Sequence, residues 1–180
     1  MLKEIKHIQD TADLLYSESQ VESALDNMAK LINNSLADSN LLLLCVLNGG
    51  IITAGKLLTR LNFPLTIDSI NASRYQNKIA GGTIEWLLEP KTSLTDRTIL
   101  LIDDILDEGI TLAAIKDYCI EKGAHKVYSA VLLDKEINKT KPITAEFVGL
   151  TVENRYLFGY GMDYKGYLRN AAGIYACKDL

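Results

Sequence analysis

The sequence predicts a single α/β domain in which a mainly parallel, twisted sheet is flanked by helices. Short runs of consecutive apolar residues recur along the chain, and each of them ends at a turn signal. Segments with helical spacing lie between these runs, and this alternation is typical of parallel sheets. The length of 180 residues fits one domain, and a hydrophobic content of 48% provides a sizeable core. We therefore treat residues 1–180 as one domain, in which ligands should lie beyond the carboxyl ends of the strands.

The first clear helix is expected over residues 19–36. Ser19 and Glu22 have the spacing of a capping box at its start. Apolar residues then follow with helical spacing: Val21, Leu25, Met28, Ile32 and Leu36.

The next elements surround a glycine turn. The apolar run of residues 41–47 stops at residues 48–50, Asn-Gly-Gly, as expected for a strand buried on both faces. A helix over residues 51–61 follows. Residues 65–72 alternate loosely and predict a strand at an edge of the sheet.

The second half repeats this order of elements. A buried strand over residues 98–102 leads into a polar turn at residues 103–111 and a helix over residues 112–122. Further buried strands are expected over residues 127–133 and 146–152. Residues 73–90 have a weaker pattern, which fits either a flap with a mobile tip at Gly81 and Gly82 or an ordinary surface hairpin.

Charge and cysteine content exclude several classes of protein. The net charge of −4 gives no basic surface for nucleic acid, and the longest apolar run is too short to span a membrane. Cys45, Cys119 and Cys177 lie far apart and form no Cys-x-x-Cys pair, which argues against a disulfide framework or a zinc site. We therefore expect a cytoplasmic protein without nucleic acid or membrane partners.

The turn after residue 102 contains the most informative side chains. Four carboxylates stand within six residues, followed by a glycine and the start of a helix: Asp103, Asp104, Asp107 and Glu108. Exposed amides at the helix start suit a phosphate, which the acids alone would repel. A ligand that also carries hydroxyl groups and Mg²⁺ resolves this conflict, because acids accept hydrogen bonds from a diol and the cation offsets their charge. A solvated acidic helix start is the alternative.

Residues 99–112 resemble the phosphoribosyl pyrophosphate signature of type I phosphoribosyltransferases. Residues 45–50 are similar to the pyrophosphate loop of the hypoxanthine-guanine branch. Residues 147–149, 158–164 and 167–170 resemble the part of that branch which covers the purine. The resemblance extends over residues 40–175. It implies a small C-terminal hood, formed by residues 153–180 with part of the N-terminal segment, and a flexible lid hairpin over residues 73–90.

The resemblance also implies a reaction and its residues. The 5-phosphoribosyl group would pass from phosphoribosyl pyrophosphate to hypoxanthine or guanine with Mg²⁺, in a homodimer or homotetramer. Asp107 would be the catalytic acid/base that faces N7 of the purine. Asp103 and Asp104 would hold the ribose hydroxyls and, through water, the metal, which Asp163 would also coordinate. The remaining implied substrate-binding residues of this loop are Ile105, Leu106, Glu108, Gly109, Ile110 and Thr111, and the backbone from 107 to 111 would hold the 5-phosphate.

Other substrate contacts are implied in three places. Asn48 and Gly49, after a cis peptide bond, and Arg169 would contact pyrophosphate. Lys135 would reach O6 of the base, Tyr156 would stack on its ring, and the Leu157 backbone would bond its edge. Arg155 would be a further substrate-binding residue. The lid would contribute Arg74 and Tyr75. Taken singly, Lys135 also fits a surface lysine, Tyr156 a core residue, and Asp163 with Arg169 a simple ion pair.

The chain departs from the family pattern at three positions. Glu108 stands where threonine is common, Ile110 where lysine is common, and Asn48 where a basic residue is frequent. A carboxylate at position 108 should point away from the phosphate. Two other functions stay open: a xanthine-preferring phosphoribosyltransferase, and a non-catalytic regulator that senses phosphoribosyl pyrophosphate.

Arg74 stands in the predicted lid and can supply the positive charge that Asn48 lacks. We therefore expect Arg74→Ala to raise the KM for phosphoribosyl pyrophosphate, measured by steady-state kinetics. An unchanged KM would count against this compensation.

Overall fold

The computed structural model describes residues 1–74 and 84–178. The described residues form four helices: α1 (Leu2–Thr11), α2 (Glu18–Leu36), α3 (Ile51–Leu58) and α4 (Ile110–Glu121). They also form nine strands: β1 (Asp13–Ser17), β2 (Leu41–Val46), β3 (Thr66–Arg74), β4 (Ile84–Leu88), β5 (Thr98–Leu106), β6 (Lys126–Lys135), β7 (Phe147–Val152), β8 (Leu157–Phe158) and β9 (Gly173–Ala176). No helix in this part of the chain is long and apolar enough to cross a membrane.

The main sheet has six strands in the order β4-β3-β2-β5-β6-β7. All neighbouring pairs are parallel except β3 and β4, which form an antiparallel hairpin. The predicted α/β fold with a mainly parallel sheet is confirmed. Because β2, β5 and β6 run in the same direction, their carboxyl ends meet at one edge of the sheet, and the residues that follow them can form one site.

Both faces of the sheet are covered, as the continuous apolar runs predict. Leu41 and Leu43 of β2 lie in the core beneath α2 and α3, whereas Leu42 and Leu44 lie in the core beneath α4. Successive residues of a strand point to opposite faces, so a strand buried on both sides has no polar alternation.

A second sheet joins the two ends of the chain. β9 lies between β1 and β8 and is antiparallel to both, so that Asp13 pairs with Ala176 and Leu157 also pairs with Ala176. A small core of its own includes Ile5 from α1 and Phe158 from β8. The N-terminal segment and residues 153–178 therefore pack together above the carboxyl edge of the main sheet.

Three expectations about the elements are wrong. β5 continues to Leu106, so Asp103 and Asp104 lie on the strand rather than in the turn, because β6 pairs with β5 as far as Leu106 and Asp134. Residues 65–72 do not form an edge strand, since β4 occupies the edge beside β3. The cap of α2 lies two residues earlier than expected.

Ser17 and Gln20 cap α2 in place of Ser19 and Glu22. The Ser17 N–H donates to Gln20 Oε1 at 2.9 Å. Glu22 faces inward instead, where Oε1 accepts hydrogen bonds from Lys56 Nζ at 2.6 Å and from Tyr160 Oη at 2.7 Å. This tertiary contact determines the direction of Glu22 and leaves the capping position to the upstream pair.

The hairpin expected over residues 73–90 is described in its arms. β3 and β4 pair from Asn71 to Arg74 and from Ile84 to Leu88, whereas Gly81 and Gly82 lie outside the described residues. Trp86 of β4 packs on Tyr118 of α4, with ring centroids 4.5 Å apart. One arm of the hairpin is thus held against α4.

Glu22 connects α2 with α3 and the C-terminal segment, and the stability that these hydrogen bonds contribute depends on pH. The hydrogen bond from Lys56, helped by those from Tyr160 and Arg60, lowers the pKa of Glu22 from 4.5 to about 2. Because the folded chain favours the carboxylate, its stabilising contribution is fully present above pH 4.5 and is lost as the pH falls from 4.5 to about 2.

We therefore expect Glu22→Gln to lower the free energy of unfolding at pH 7 by about 1–2 kcal/mol, since the side chain is partly screened by solvent. The difference from wild type should shrink at pH 3. Urea unfolding at both pH values measures it, with Glu121→Gln, an exposed glutamate of α4, as the control. An equal loss at both pH values would contradict the linkage.

Candidate active site

A cleft of about 590 Å³ lies at the carboxyl edge of the main sheet. It is lined by Asn48 and Gly49 after β2, by residues 103–112 of β5 and the β5–α4 turn, and by Lys135 at the end of β6. Tyr156, Leu157, Asp163 and Arg169 line it from the C-terminal segment. The structure therefore brings together residues that are more than 120 positions apart in the chain.

The turn between β5 and α4 has a backbone conformation that suits the binding of an anion. Gly109 precedes the first residue of α4 with a φ of 78°, a left-handed conformation that favours glycine. A side chain there would also press on Ile143 and Leu106, each 3.1 Å from a built Cβ. The first N–H groups of a helix have no partner within the helix, so those after Gly109 can bind an anion in the cleft.

Two acids on β5 form the floor of the cleft. Asp104 is buried, with 7% of its surface exposed, and its N–H donates to Asp103 Oδ1 at 2.9 Å. Burial raises the pKa of the Asp103 carboxyl well above its usual range, and the neighbouring charge of Asp104 raises it further. Burial also raises the pKa of Asp104. Two carboxyls at this depth favour a ligand that brings hydroxyl donors or positive charge.

The loop after β2 approaches these acids without a side chain between them. The Leu47–Asn48 peptide bond is cis, as the resemblance implied. A Cβ at Gly49 would overlap the Asp104 carboxylate, and a Cβ at Gly161 would overlap the Gly49 carbonyl oxygen. Three segments of the chain, from β2, β5 and the C-terminal region, thus meet at a point where neither Gly49 nor Gly161 could carry a side chain.

Asp107 and Lys135 form an ion pair across the middle of the cleft. Lys135 Nζ lies 2.8 Å from Asp107 Oδ2. The Lys135 side chain is only 11% exposed, so it is not the surface lysine that it resembled in the sequence, whereas Asp107 is 49% exposed. A cation and a carboxylate therefore stand side by side where a ligand can reach both.

The C-terminal segment supplies an aromatic ring and a second ion pair. Tyr156 is 44% exposed, and its ring lies edge to face with Tyr164 at a centroid distance of 5.6 Å. Arg169 pairs with Asp163 at 2.5 Å and also donates to the Gly161 carbonyl oxygen. The interpretation of Asp163 and Arg169 as an ion pair is therefore correct, and both also line the cleft.

Some expected site residues lie elsewhere. Arg155 is not among the residues that line the cleft, since its guanidinium is held by Asp13 at 2.8 Å and by the Cys177 carbonyl at 3.0 Å. The Arg74 side chain and Tyr75 fall outside the described part of the chain. Glu108 lines the cleft and also lies 3.5 Å from Lys139 Nζ.

Sequence reasoning missed Met162 and Lys141. Met162 lines the cleft and is 5% exposed, but a lone methionine gives no pattern in the sequence. Lys141 donates to the carbonyl oxygens of Leu106 and Lys135, the residues at the ends of β5 and β6. Its place in a polar connection resembles that of any surface lysine.

The carboxylates of the cleft fit a shared magnesium site. Asp103, Asp104 and Asp163 all line it, although the described residues contain no cluster of three metal-binding side chains. Mg²⁺ commonly keeps several waters and binds one or two carboxylates together with substrate phosphates. The donor set therefore suits Mg²⁺ that is held jointly by the protein and a phosphate ligand.

The cysteines Cys45, Cys119 and Cys177 are free thiols.

Known proteins resemble this chain over most of its length. Residues 12–165 match the family model described as phosphoribosyl transferase domain. The chain belongs to this family. It is 27% identical over 179 residues to a hypoxanthine-guanine-xanthine phosphoribosyltransferase of Tritrichomonas foetus, covering 99% of this chain and 98% of the relative.

Bacterial relatives agree with this assignment to the family. The chain is 29% identical over 167 residues to a hypoxanthine-guanine phosphoribosyltransferase of Bacillus subtilis, covering 92% of each. A crystal structure of a hypoxanthine-guanine phosphoribosyltransferase from Bacillus anthracis superposes with a TM-score of 0.86 at 28% identity, covering 92% of this chain and 98% of the other. The predicted family and fold are confirmed.

Gly49 provides a direct test of the three-segment contact. We expect Gly49→Ala to weaken the binding of phosphoribosyl pyrophosphate with Mg²⁺ by at least about tenfold, because the added methyl group displaces the Asp104 carboxylate. Isothermal titration calorimetry measures the Kd. Gly55→Ala on α3 is the matched control, since a Cβ there meets nothing within 4 Å. Equal affinities of the two variants would show that the close approach has no role in binding.

Proposed function

We propose that this chain is a purine salvage enzyme that transfers the 5-phosphoribosyl group from phosphoribosyl pyrophosphate to hypoxanthine or guanine. The products are inosine or guanosine monophosphate and pyrophosphate. The observation that supports this most strongly is the Asp107–Lys135 ion pair, which lines the same cleft as the start of α4 and Tyr156. The relatives named above are phosphoribosyltransferases for these bases.

The charges of this pair match one edge of a 6-oxopurine. The ammonium of Lys135 has only donors and suits the O6 acceptor, whereas the carboxylate of Asp107 accepts hydrogen bonds and suits the proton at N7. Adenine would place an amino group against the ammonium and leave both without an acceptor. The geometry therefore favours hypoxanthine, guanine and xanthine over adenine.

The remaining residues position the phosphoribosyl donor. The amides at the start of α4 hold the 5-phosphate, and Asp103 and Asp104 accept hydrogen bonds from the two ribose hydroxyls. Asn48, Gly49 and Arg169 bind the pyrophosphate group. When bound, Mg²⁺ neutralises the charge of the leaving pyrophosphate. Asp163, with Asp103 and Asp104 through water, would hold it.

The chemical step is a displacement at the anomeric carbon. The purine nitrogen forms the new bond to this carbon as the bond to pyrophosphate breaks, and the centre is inverted. Asp107 takes the N7 proton as positive charge develops on the purine. Tyr156 holds the purine plane by stacking, and positioning of this kind supplies much of the rate enhancement in reactions between two substrates.

Two alternatives have different signatures. A preference for xanthine would depend on groups near Leu157 and Asp163, and the name of the T. foetus relative includes this base. A sensor of phosphoribosyl pyrophosphate would bind the donor without turnover.

The oligomeric state, a homodimer or homotetramer, remains a prediction from the family resemblance.

Pyrophosphate release distinguishes these functions. With phosphoribosyl pyrophosphate and Mg²⁺, we expect turnover of hypoxanthine and guanine, no turnover of adenine, and loss of activity on chelation of the metal. Asp107→Asn should lower kcat by about 10²–10⁴-fold because the proton acceptor is removed. Asp117→Asn, an exposed aspartate of α4, should leave it unchanged.

The outcome assigns the function. Turnover with xanthine alone would favour the xanthine enzyme. Tight binding of phosphoribosyl pyrophosphate without turnover of any of the four bases would rule out the transferase and favour the sensor.

A further inference from the structure

A largely buried lysine outside the cleft joins the end of β5, which leads into Asp107, to the end of β6, where Lys135 lies. Lys141 Nζ donates to the Leu106 carbonyl at 2.7 Å, to the Lys135 carbonyl at 2.6 Å and to Asp134 Oδ1 at 2.5 Å. Its side chain is 13% exposed. An ammonium has three donors, and all three are used here.

These three acceptors lie where β5 and β6 end. Leu106 and Asp134 are the last residues that face each other in the β5–β6 ladder. The Leu106 carbonyl belongs to the peptide that leads into Asp107, and the Lys135 carbonyl ends β6. The Lys141 ammonium therefore links β5 and β6 one residue beyond their last backbone pair.

The connection between β6 and β7, residues 136–146, also supports the turn before α4. Ile143 and Pro142 lie 3.1 and 3.6 Å from a Cβ built on Gly109, and Ile143 belongs to the same core as Leu106. Lys139 lies 3.5 Å from the Glu108 carboxylate. One segment thus contacts the turn on both sides of Asp107.

We propose that Lys141 is a positioning residue that sets the spacing between Asp107 and Lys135, and thereby the fit of the purine edge. This inference rests on the proposed function for its kinetic consequence. Hydrogen bonds from a charged donor are stronger than those from a neutral donor. The Lys141 ammonium donates to the carbonyl oxygen of Leu106, the residue before Asp107, and to that of Lys135 itself. A misplacement of about 1 Å can cost 10²-fold in rate, so a tether at this point affects turnover without touching the substrate.

A double-mutant cycle tests whether Lys141 acts through Lys135. Lys141→Met keeps the aliphatic stem and removes the ammonium, and Lys135→Met removes the group that reads O6. We expect Lys141→Met to lower kcat/KM for hypoxanthine by roughly 10- to 100-fold in the wild-type background. In the Lys135→Met background the same substitution should lower it by a clearly smaller factor, because only the position of Asp107 can then still be affected. The Kd for phosphoribosyl pyrophosphate should change by less than about threefold in both.

A control variant and a second variant of Lys141 complete the test on β5 and β6. Lys126→Met removes an exposed lysine at the opposite end of β6 and should leave kcat/KM unchanged. If Lys141→Met does not fold, Lys141→Gln keeps a hydrogen-bond donor without the charge and enters the same cycle. An equal fold-loss in the two backgrounds, or no loss in either, would overturn the proposal.

Hydrogen exchange separates this proposal from the proposed function. Amides of residues 104–111 and 133–139 should exchange at least about tenfold faster in Lys141→Met, and not in Lys126→Met, because the strand ends open more often. If the wild-type chain turns over no purine, the proposed function fails, and the exchange rates alone decide the positioning role. Unchanged exchange would refute that role whatever the activity.

Discussion

The site depends on close contacts at two glycines, Gly49 and Gly161, where an added side chain would not fit. Gly49 lies against the carboxylate of Asp104, and Gly161 lies against the carbonyl oxygen of Gly49. Because atoms in a protein interior are close-packed, a contact of this kind has a defined distance and cannot relax gradually. It fixes the C-terminal segment relative to the sheet, and therefore fixes Tyr156 and Arg169 relative to the acids of β5.

Electrostatic balance is the second constraint on the cleft. Asp103, Asp104 and Asp107 lie within one loop and strand, and burial opposes the ionisation of the first two. The cations that face them, Lys135 and Arg169, come from distant parts of the chain, and each is paired with a carboxylate of the cleft. The protein alone thus holds an excess of acid at this edge, which is consistent with a ligand that arrives together with a divalent cation.

The sequence was a good guide where a local pattern determines the structure. The apolar run at Leu41 could only be buried on both faces, and the residues that line the cleft around Asp107 follow in one uninterrupted segment. Long-range contacts produced the errors. Ser17 with Gln20 and Ser19 with Glu22 both have the spacing of a capping box, and the tertiary contacts of Glu22 with Lys56 and Tyr160 draw it away from the cap. Arg155 was expected among the substrate-binding residues, whereas its guanidinium is held by Asp13, which lies 142 residues away in the chain.

The N-terminal segment shows the same limitation more strongly. β1 has no strong signal of its own, since it is short and none of its five residues is fully buried. Its stability comes from pairing with β9 near the other end of the chain. No pattern within the first 17 residues can indicate such a partner.

Trp86 is the only tryptophan of the chain, and it packs on Tyr118 of α4, the helix whose first residues line the cleft. The indole is therefore the single tryptophan fluorophore of the chain, and it lies on the β4 arm of the hairpin. Its emission spectrum reports the environment of one known position, so that movements of this hairpin arm away from α4 can be followed optically in the unlabelled, unmodified protein.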